Sequence, residues 1–161
     1  IAAVRASDRL HAANRGEKFT TIFVNNAIFG MTGGLMAPTT LVGQKATTAP
    51  YCRDPGDAGM GYPVRVSEML ATLEGTRYLA RGAVNNAANV RKTKQYIKKA
   101  FEAQLRGEGF TMVEILSQCP TNWGMEAVES VAWLEGSMIP FYKLGEIKNE
   151  LSTSAVKEAA K

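Results

Sequence analysis

The sequence predicts an α/β fold, a mostly parallel sheet with helices on both faces, and three observations carry that reading. Strand-sized runs at residues 19–24, 77–84 and 110–116 alternate with segments of helical period, the pattern of a wound sheet rather than of hairpins. The first and last of these runs are apolar nearly throughout, as strands covered on two faces are. Glycine or asparagine punctuates most of the junctions between strand and helix.

In chain order, Ala2, Ala3, Ala6, Leu10 and Ala13 fall at helical spacing over residues 1–14, and Gly16 offers the left-handed residue that stops a helix. Residues 19–24 read as a buried strand that ends at Asn25-Asn26. From Asn26 to about Gly61 the chain is rich in Gly, Thr, Pro and Met without a period, far longer than an ordinary connection, and a long ordered loop is usually functional. Pro63 opens a helix that runs through Met69 and Leu73 to Gly75, and residues 77–84 alternate as a strand does. Asn89 is placed to cap a helix in which Val90, Ile97, Ala100, Phe101 and Leu105 share one face, and Gly107 ends it. The strand at 110–116 leads into the turn Cys119-Pro120-Thr121-Asn122-Trp123-Gly124, and a helix covers about residues 125–134. Residues 1–148 therefore read as one domain and 149–161 as a polar, weakly helical tail.

Bulk properties narrow the function classes. The formal net charge is +4, with basic residues spread among acidic ones except around residues 91–99, where Arg91, Lys92, Lys98 and Lys99 read as a solvated helix face. Nucleic acid is not an expected partner. No apolar run reaches membrane-spanning length, and residues 1–14 lack the features of a secretory signal, so a cytoplasmic chain without a membrane partner is expected. The two cysteines, Cys52 and Cys119, are weighed as thiols or ligands rather than as a disulfide.

The segment from Val24 to Gly34 is the most informative. An Asn at a strand end offers a neutral oxygen, and the non-helical backbone after it can turn a carbonyl the same way, a donor set suited to Mg²⁺ holding a diphosphate. Thr32-Gly33-Gly34 allows backbone N–H groups to approach anionic oxygens closely. A plain tight turn explains the same residues, since Asn and Gly are common turn formers.

Asn25-Asn26 and Met31-Thr32-Gly33-Gly34, followed by Met36-Ala37-Pro38-Thr39-Thr40, closely resemble the beta subunits of 2-oxoacid:ferredoxin oxidoreductases. Similar stretches are His11-Ala12-Ala13-Asn14-Arg15-Gly16-Glu17, Gly43-Gln44-Lys45, Gly61-Tyr62-Pro63 and Cys119-Pro120-Thr121-Asn122-Trp123-Gly124-Met125, so the resemblance covers nearly everything up to Lys148. It implies part of a thiamine-diphosphate-binding fold, lacking its N-terminal portion. In that family a Gly-Asp-Gly motif, whose aspartate binds Mg²⁺, lies upstream of the Asn-Asn pair, and this chain begins just after it. By the same resemblance Asn26 is the side-chain Mg²⁺ ligand, Ile28 the backbone-carbonyl ligand, and Thr32 and Gly33 line thiamine diphosphate. Cys119 is similar in context to the fourth cysteine ligand of a [4Fe–4S] cluster in the complete subunit, the other three lying upstream. Two residues depart from the pattern: Leu35 stands where Gln is usual, and Arg5 where a small Gly is usual.

The activity implied is coenzyme A-dependent oxidative decarboxylation of a 2-oxoacid, either 3-methyl-2-oxobutanoate (2-oxoisovalerate) or 2-oxoglutarate, with electrons passed to ferredoxin. The partners implied are alpha, gamma and delta subunits. The alternative is a non-catalytic folded remnant or subunit-interaction module, since the metal aspartate and three cluster ligands are not among these 161 residues. No catalytic acid, base or nucleophile is assigned. His11 reads as a packing residue, Trp123 and Trp133 as core or subunit-contact residues, and Cys52 as a loop thiol without a role. Asn25, pointing to the opposite side of an extended chain from Asn26, is expected to matter little to the metal.

Overall fold

The computed structural model describes residues 6–56 and 59–152. Helix α1 (Ala6–Arg15) stops at Gly16, which adopts φ +66°, and strand β1 (Thr20–Asn25) follows. The long connection after β1 holds a small antiparallel hairpin of β2 (Ile28–Phe29) and β3 (Leu35–Met36). Then come α2 (Val66–Ala71), β4 (Thr76–Ala83), α3 (Ala87–Leu105), β5 (Phe110–Leu116) and α4 (Pro120–Trp123). Helix α5 (Ala127–Trp133) passes through a π-helical turn, Leu134–Met138, into α6 (Ile139–Phe141), and β6 (Gly145–Asn149) is the last described element.

The main sheet has the order β1-β5-β4-β6. The first three strands are parallel and β6 runs antiparallel to β4. Alternate residues of the central strands feed two cores. Tyr78, Ala80 and Val113 pack against Tyr96 and Ala100 of α3, while Phe23, Leu79, Phe110 and Met112 pack against Ala12 and Ala13 of α1 and Val66 and Leu70 of α2. This is the expected mostly parallel sheet with helices on both faces. Each fully buried Leu, Phe or Met is worth roughly 2–3 kcal/mol of transfer free energy, so the two layers together hold the sheet. A third cluster, with Leu116, Leu134, Met138 and Tyr142, closes the carboxyl end of the sheet.

Several boundaries differ from the sequence reading for identifiable reasons. Helix α2 begins at Val66 rather than Pro63, because the Val64 N–H is committed to the Pro38 carbonyl of the long loop, 2.9 Å away. Helix α3 begins a turn before Asn89: Asn86 is the cap and its side chain accepts from the Asn89 N–H, leaving Ala87 and Ala88, strong helix formers, inside. The turn after Cys119 closes as the helical turn α4, ended by Gly124 at φ +65°. Past α5 the helix extends beyond residue 134, and the π-helical turn lies just before Pro140, which has no N–H to give to an α-helical ladder. Strand β6 was not expected at all, and it includes Asn149, the first residue of the expected tail. Residues 153–161 of that tail and 1–5 of the first helix lie outside the described residues, as does Arg5. His11 is exposed on α1 rather than packed, whereas Arg91, Lys92 and Lys98 are exposed as expected.

Candidate functional site

At the carboxyl end of β1 the chain leaves the sheet through Asn25, Asn26, Ala27 and Ile28, and Ala27 sits at φ +55°. That conformation costs a residue with a Cβ roughly 1–2 kcal/mol, so the surroundings must hold it in place. They do so through three hydrogen bonds. The Asn25 side-chain oxygen accepts from the Ala27 N–H at 3.0 Å, the Thr40 hydroxyl donates to the Ala27 carbonyl at 2.6 Å, and the Trp123 indole N–H donates to the Asn26 carbonyl at 3.0 Å. The Asn26 side chain, half-buried, accepts from the Ile28 N–H at 3.3 Å.

The hairpin β2–β3 carries Gly30, Met31, Thr32, Gly33 and Gly34 at its tip. Here the sequence reading needs correcting: the N–H groups of Gly33 and Gly34 donate to the Gly30 and Phe29 carbonyls, so both are spent within the turn. The Thr32 hydroxyl donates to the Phe29 carbonyl at 3.2 Å, and the Gly33 carbonyl accepts from the Thr47 hydroxyl at 2.6 Å. What the tip offers instead is space. Gly33 is exposed at φ +90°, and a Cβ built on it would meet nothing within 4 Å.

Cys119 caps α4 beside this hairpin. It is half-buried and packs in a satellite cluster with Ile28, Ala46 and Ala49, and its sulfur accepts from the Asn122 amide at 3.2 Å. A Cβ at Gly30 would lie 2.9 Å from the Asn122 side-chain nitrogen and 3.6 Å from the Cys119 sulfur, so a larger residue there would have to displace the Asn122 amide. Asn26, Ile28, Gly33 and Cys119 thus share one end of the sheet, and Trp123 ties the Cys119 turn to the Asn26 loop. The indole of Trp123 also lies against Trp133, ring centroids 4.6 Å apart. Cys52, at φ +77°, closes a turn in which its N–H donates to the Ala49 carbonyl at 3.1 Å.

Beneath the loop lies a charged network that the sequence reading missed. Glu114, in the middle of β5, is fully buried and accepts from the Asn25 amide at 2.8 Å, the Ser67 hydroxyl and the Arg81 guanidinium at 2.9 Å. Arg81, also fully buried, reaches Glu68 with both terminal nitrogens, at 2.8 and 2.6 Å, and lies over the Tyr142 ring. Burial works against the Arg81 charge, yet the two carboxylates outweigh it and raise its pKa; burial likewise opposes the Glu68 charge, and Arg81 prevails and lowers that pKa. Burial also pushes the Tyr142 hydroxyl above its ordinary range. The available signal was a lone acid inside an apolar strand, which a parallel sheet tolerates only with a partner.

The donor set facing the loop consists of neutral oxygens, an arrangement that suits a hard cation such as Mg²⁺. Residues 25–36 contain no carboxylate, and among the described residues no three His, Cys, Asp or Glu side chains gather as a metal-binding group. The loop fits one part of a cation–diphosphate site.

In a wound α/β sheet ligands bind beyond the carboxyl ends of the strands, which is where this loop and the glycine hairpin lie. The chain belongs to the family described as thiamine pyrophosphate enzyme, C-terminal TPP binding domain, which matches residues 4–115. It is 41% identical over 138 residues to the ketoisovalerate oxidoreductase subunit VorA of Methanothermobacter marburgensis, covering 86% of this chain and 28% of that protein. It is 36% identical over 125 residues to the 2-oxoglutarate synthase subunit KorB of Methanocaldococcus jannaschii, covering 77% of this chain and 41% of that one. Among solved structures, a 2-oxoglutarate:ferredoxin oxidoreductase from Magnetococcus marinus, with 2-oxoglutarate, coenzyme A and succinyl-CoA bound, matches with a TM-score of 0.65 and 27% identity, over 83% of this chain and 40% of that one. The chain therefore spans well under half the length of these relatives.

Proposed function

We propose that this chain is the part of a 2-oxoacid:ferredoxin oxidoreductase beta subunit that receives the Mg²⁺–diphosphate end of thiamine diphosphate. The observation that supports it best is the tethered loop: the Asn26 and Ala27 peptide groups are tied down by Asn25, Thr40 and Trp123, which leaves the Asn26 side chain at the surface of the site. Asn26 contributes its side-chain oxygen and Ile28 its carbonyl to Mg²⁺, Thr32 and Gly33 line the cofactor, and a carboxylate from outside these 161 residues completes the shell. When bound, thiamine diphosphate supplies the carbanion that adds to the 2-oxoacid carbonyl and lets CO₂ leave. This chain's residues bind and orient. Trp123 and Trp133 cover the loop from one side, and the exposed Gly33 leaves room for the ligand.

In the complete subunit Cys119 would be the fourth thiolate holding a [4Fe–4S] cluster, which would supply the route for electrons to ferredoxin, with coenzyme A as the acyl acceptor. Alpha, gamma and delta subunits complete a cytoplasmic complex. The substrate is a branched-chain 2-oxoacid, 3-methyl-2-oxobutanoate, with 2-oxoglutarate the second candidate, following the names of the two relatives described above. One observation favours a second reading for the chain in isolation: without a carboxylate in the loop, the 161-residue chain by itself is a non-catalytic module that binds the cofactor pair feebly.

The deciding experiment is Asn26→Ala in the full complex. Removing one ligand, which water partly replaces, raises the Mg²⁺ concentration needed for half-maximal cofactor binding by about 10-fold or more, and saturating cofactor restores much of the rate. An unchanged Mg²⁺ requirement overturns the assignment.

A further inference from the structure

We propose that the buried chain Arg81–Glu114–Asn25 is a positioning device that fixes the loop at residues 26–28 in its cation-receiving shape before any cofactor arrives. The proposal rests on the reading of Asn26 and Ile28 as metal ligands and assigns a role to residues on the other side of the backbone.

The chemistry of the chain sets its direction. An ionised carboxylate only accepts hydrogen bonds, so the Asn25 side chain must turn its NH₂ toward Glu114, 2.8 Å away. Its oxygen then necessarily faces the Ala27 N–H, which only donates. Glu114 thereby dictates the orientation of an amide that is only 2% exposed, and that amide holds Ala27 in the left-handed region. Glu114 is itself fixed: Arg81 and Ser67 occupy its other oxygen, and Glu68 together with the Lys143 carbonyl grips the far end of Arg81. A path of hydrogen bonds therefore runs from α2 and the segment before β6, across β4 and β5, to the peptide that follows Asn26. As a stabilising device alone this arrangement is poor, because apolar residues of the same volume usually hold a core as well as a buried ion pair does. Orientation of Asn25 is something that apolar residues could not supply.

The sequence reading gave Asn25 little bearing on the metal, whereas a positioning role for its side chain makes the metal site depend on it as well. In the full complex, equilibrium binding of thiamine diphosphate is titrated with Mg²⁺ in the absence of 2-oxoacid for wild type, Asn25→Ala, Glu114→Gln, Asn26→Ala and Tyr78→Phe. Tyr78 is buried on the α3 face, and its hydroxyl donates to Glu146, so its loss lowers stability without touching the loop. Asn25→Ala is expected to raise the Mg²⁺ requirement about 10- to 100-fold, the range for residues that orient a ligand. Backbone amide exchange at Ala27 is expected to accelerate in the cofactor-free complex, while Tyr78→Phe leaves both quantities alone. Should Asn25→Ala fail to assemble, Glu114→Gln, which keeps the volume, is read in its place and is expected to move both quantities in the same direction. A wild-type Mg²⁺ requirement in the assembled variant, or an equal rise in Tyr78→Phe, overturns the proposal. If Asn26→Ala shifts the requirement and Asn25→Ala does not, only the positioning role fails; if Asn26→Ala itself leaves it unchanged, the ligand reading fails with it.

Discussion

At the scale of single residues, Arg53 organises more backbone than any other described side chain. It is buried, and its guanidinium donates to six carbonyls, those of Ala37, Pro38, Thr40, Met60, Gly61 and Tyr62. Burial lowers its pKa from the ordinary arginine value, and the carbonyl dipoles around it stand where a carboxylate would be expected. This one side chain gives a connection without helix or long strand a defined shape. Arg53→Lys replaces a planar fork by three tetrahedral donors, which leaves several carbonyls unpaired. A loss of about 2–4 kcal/mol in denaturant unfolding is expected, with faster proteolysis between residues 37 and 62. Stability within error of wild type would show that the loop holds itself. Nothing in the sequence marked Arg53, because its partners are main-chain atoms and leave no side-chain pattern to read.

At the scale of elements, the contact of α3 with β4 depends on one missing methyl. A Cβ at Gly82 would lie 2.1 Å from the Thr93 hydroxyl and 2.9 Å from its Cβ, so the helix approaches β4 only where the strand has no side chain. Gly82→Ala is expected to destabilise the chain by roughly 1–3 kcal/mol through overpacking. Adding Thr93→Ala should recover part of that, although it sacrifices the bond to the Ala83 carbonyl. A non-additive double mutant in thermal melts is the expected signature. Strands β1, β4 and β5 and helix α3 were legible in the sequence from apolar runs and helical period, but the burial read from them was not: Ile22 and Val24 of β1, at the sheet edge, and Phe101 and Leu105 of α3 are exposed. Strand β6, Gly145-Glu146-Ile147-Lys148-Asn149, was not, since an edge strand can be polar throughout and its pairing with β4 depends on tertiary contact. The Asn-Asn and glycine motifs located the loop at residues 26–28, but sequence spacing could not reveal that Asn25 turns inward to a carboxylate 89 residues away.

For the molecule as a whole, two carboxylates join distant segments and make its stability sensitive to acid. Burial opposes the charge of Glu68, but Arg81 dominates and lowers its pKa; burial also opposes that of Glu146, and Lys99 and Tyr78 dominate there. Because both folded values lie below the ordinary carboxylate value of 4.5, the stabilisation is complete above that pH and is lost as pH falls through the depressed values. Thermal midpoints are therefore expected to be flat from neutral pH to about 5 and to drop in stronger acid. Glu68→Gln should start lower and fall less steeply. Parallel acid limbs in the two proteins would remove Glu68 from the account.

The contact of Trp123 with Trp133 brings a final consequence. These are the only two tryptophans of the 161 residues, and their ring centroids lie 4.6 Å apart, so the indole emission of the chain and the indole bands of its near-ultraviolet dichroism arise from a single spot. That spot is bonded to the Asn26 carbonyl. The chain thus carries its own optical gauge of the loop: a strain on that carbonyl alters the polarity around one indole and the coupling between both. A titration followed at these wavelengths reads the candidate site without any attached dye.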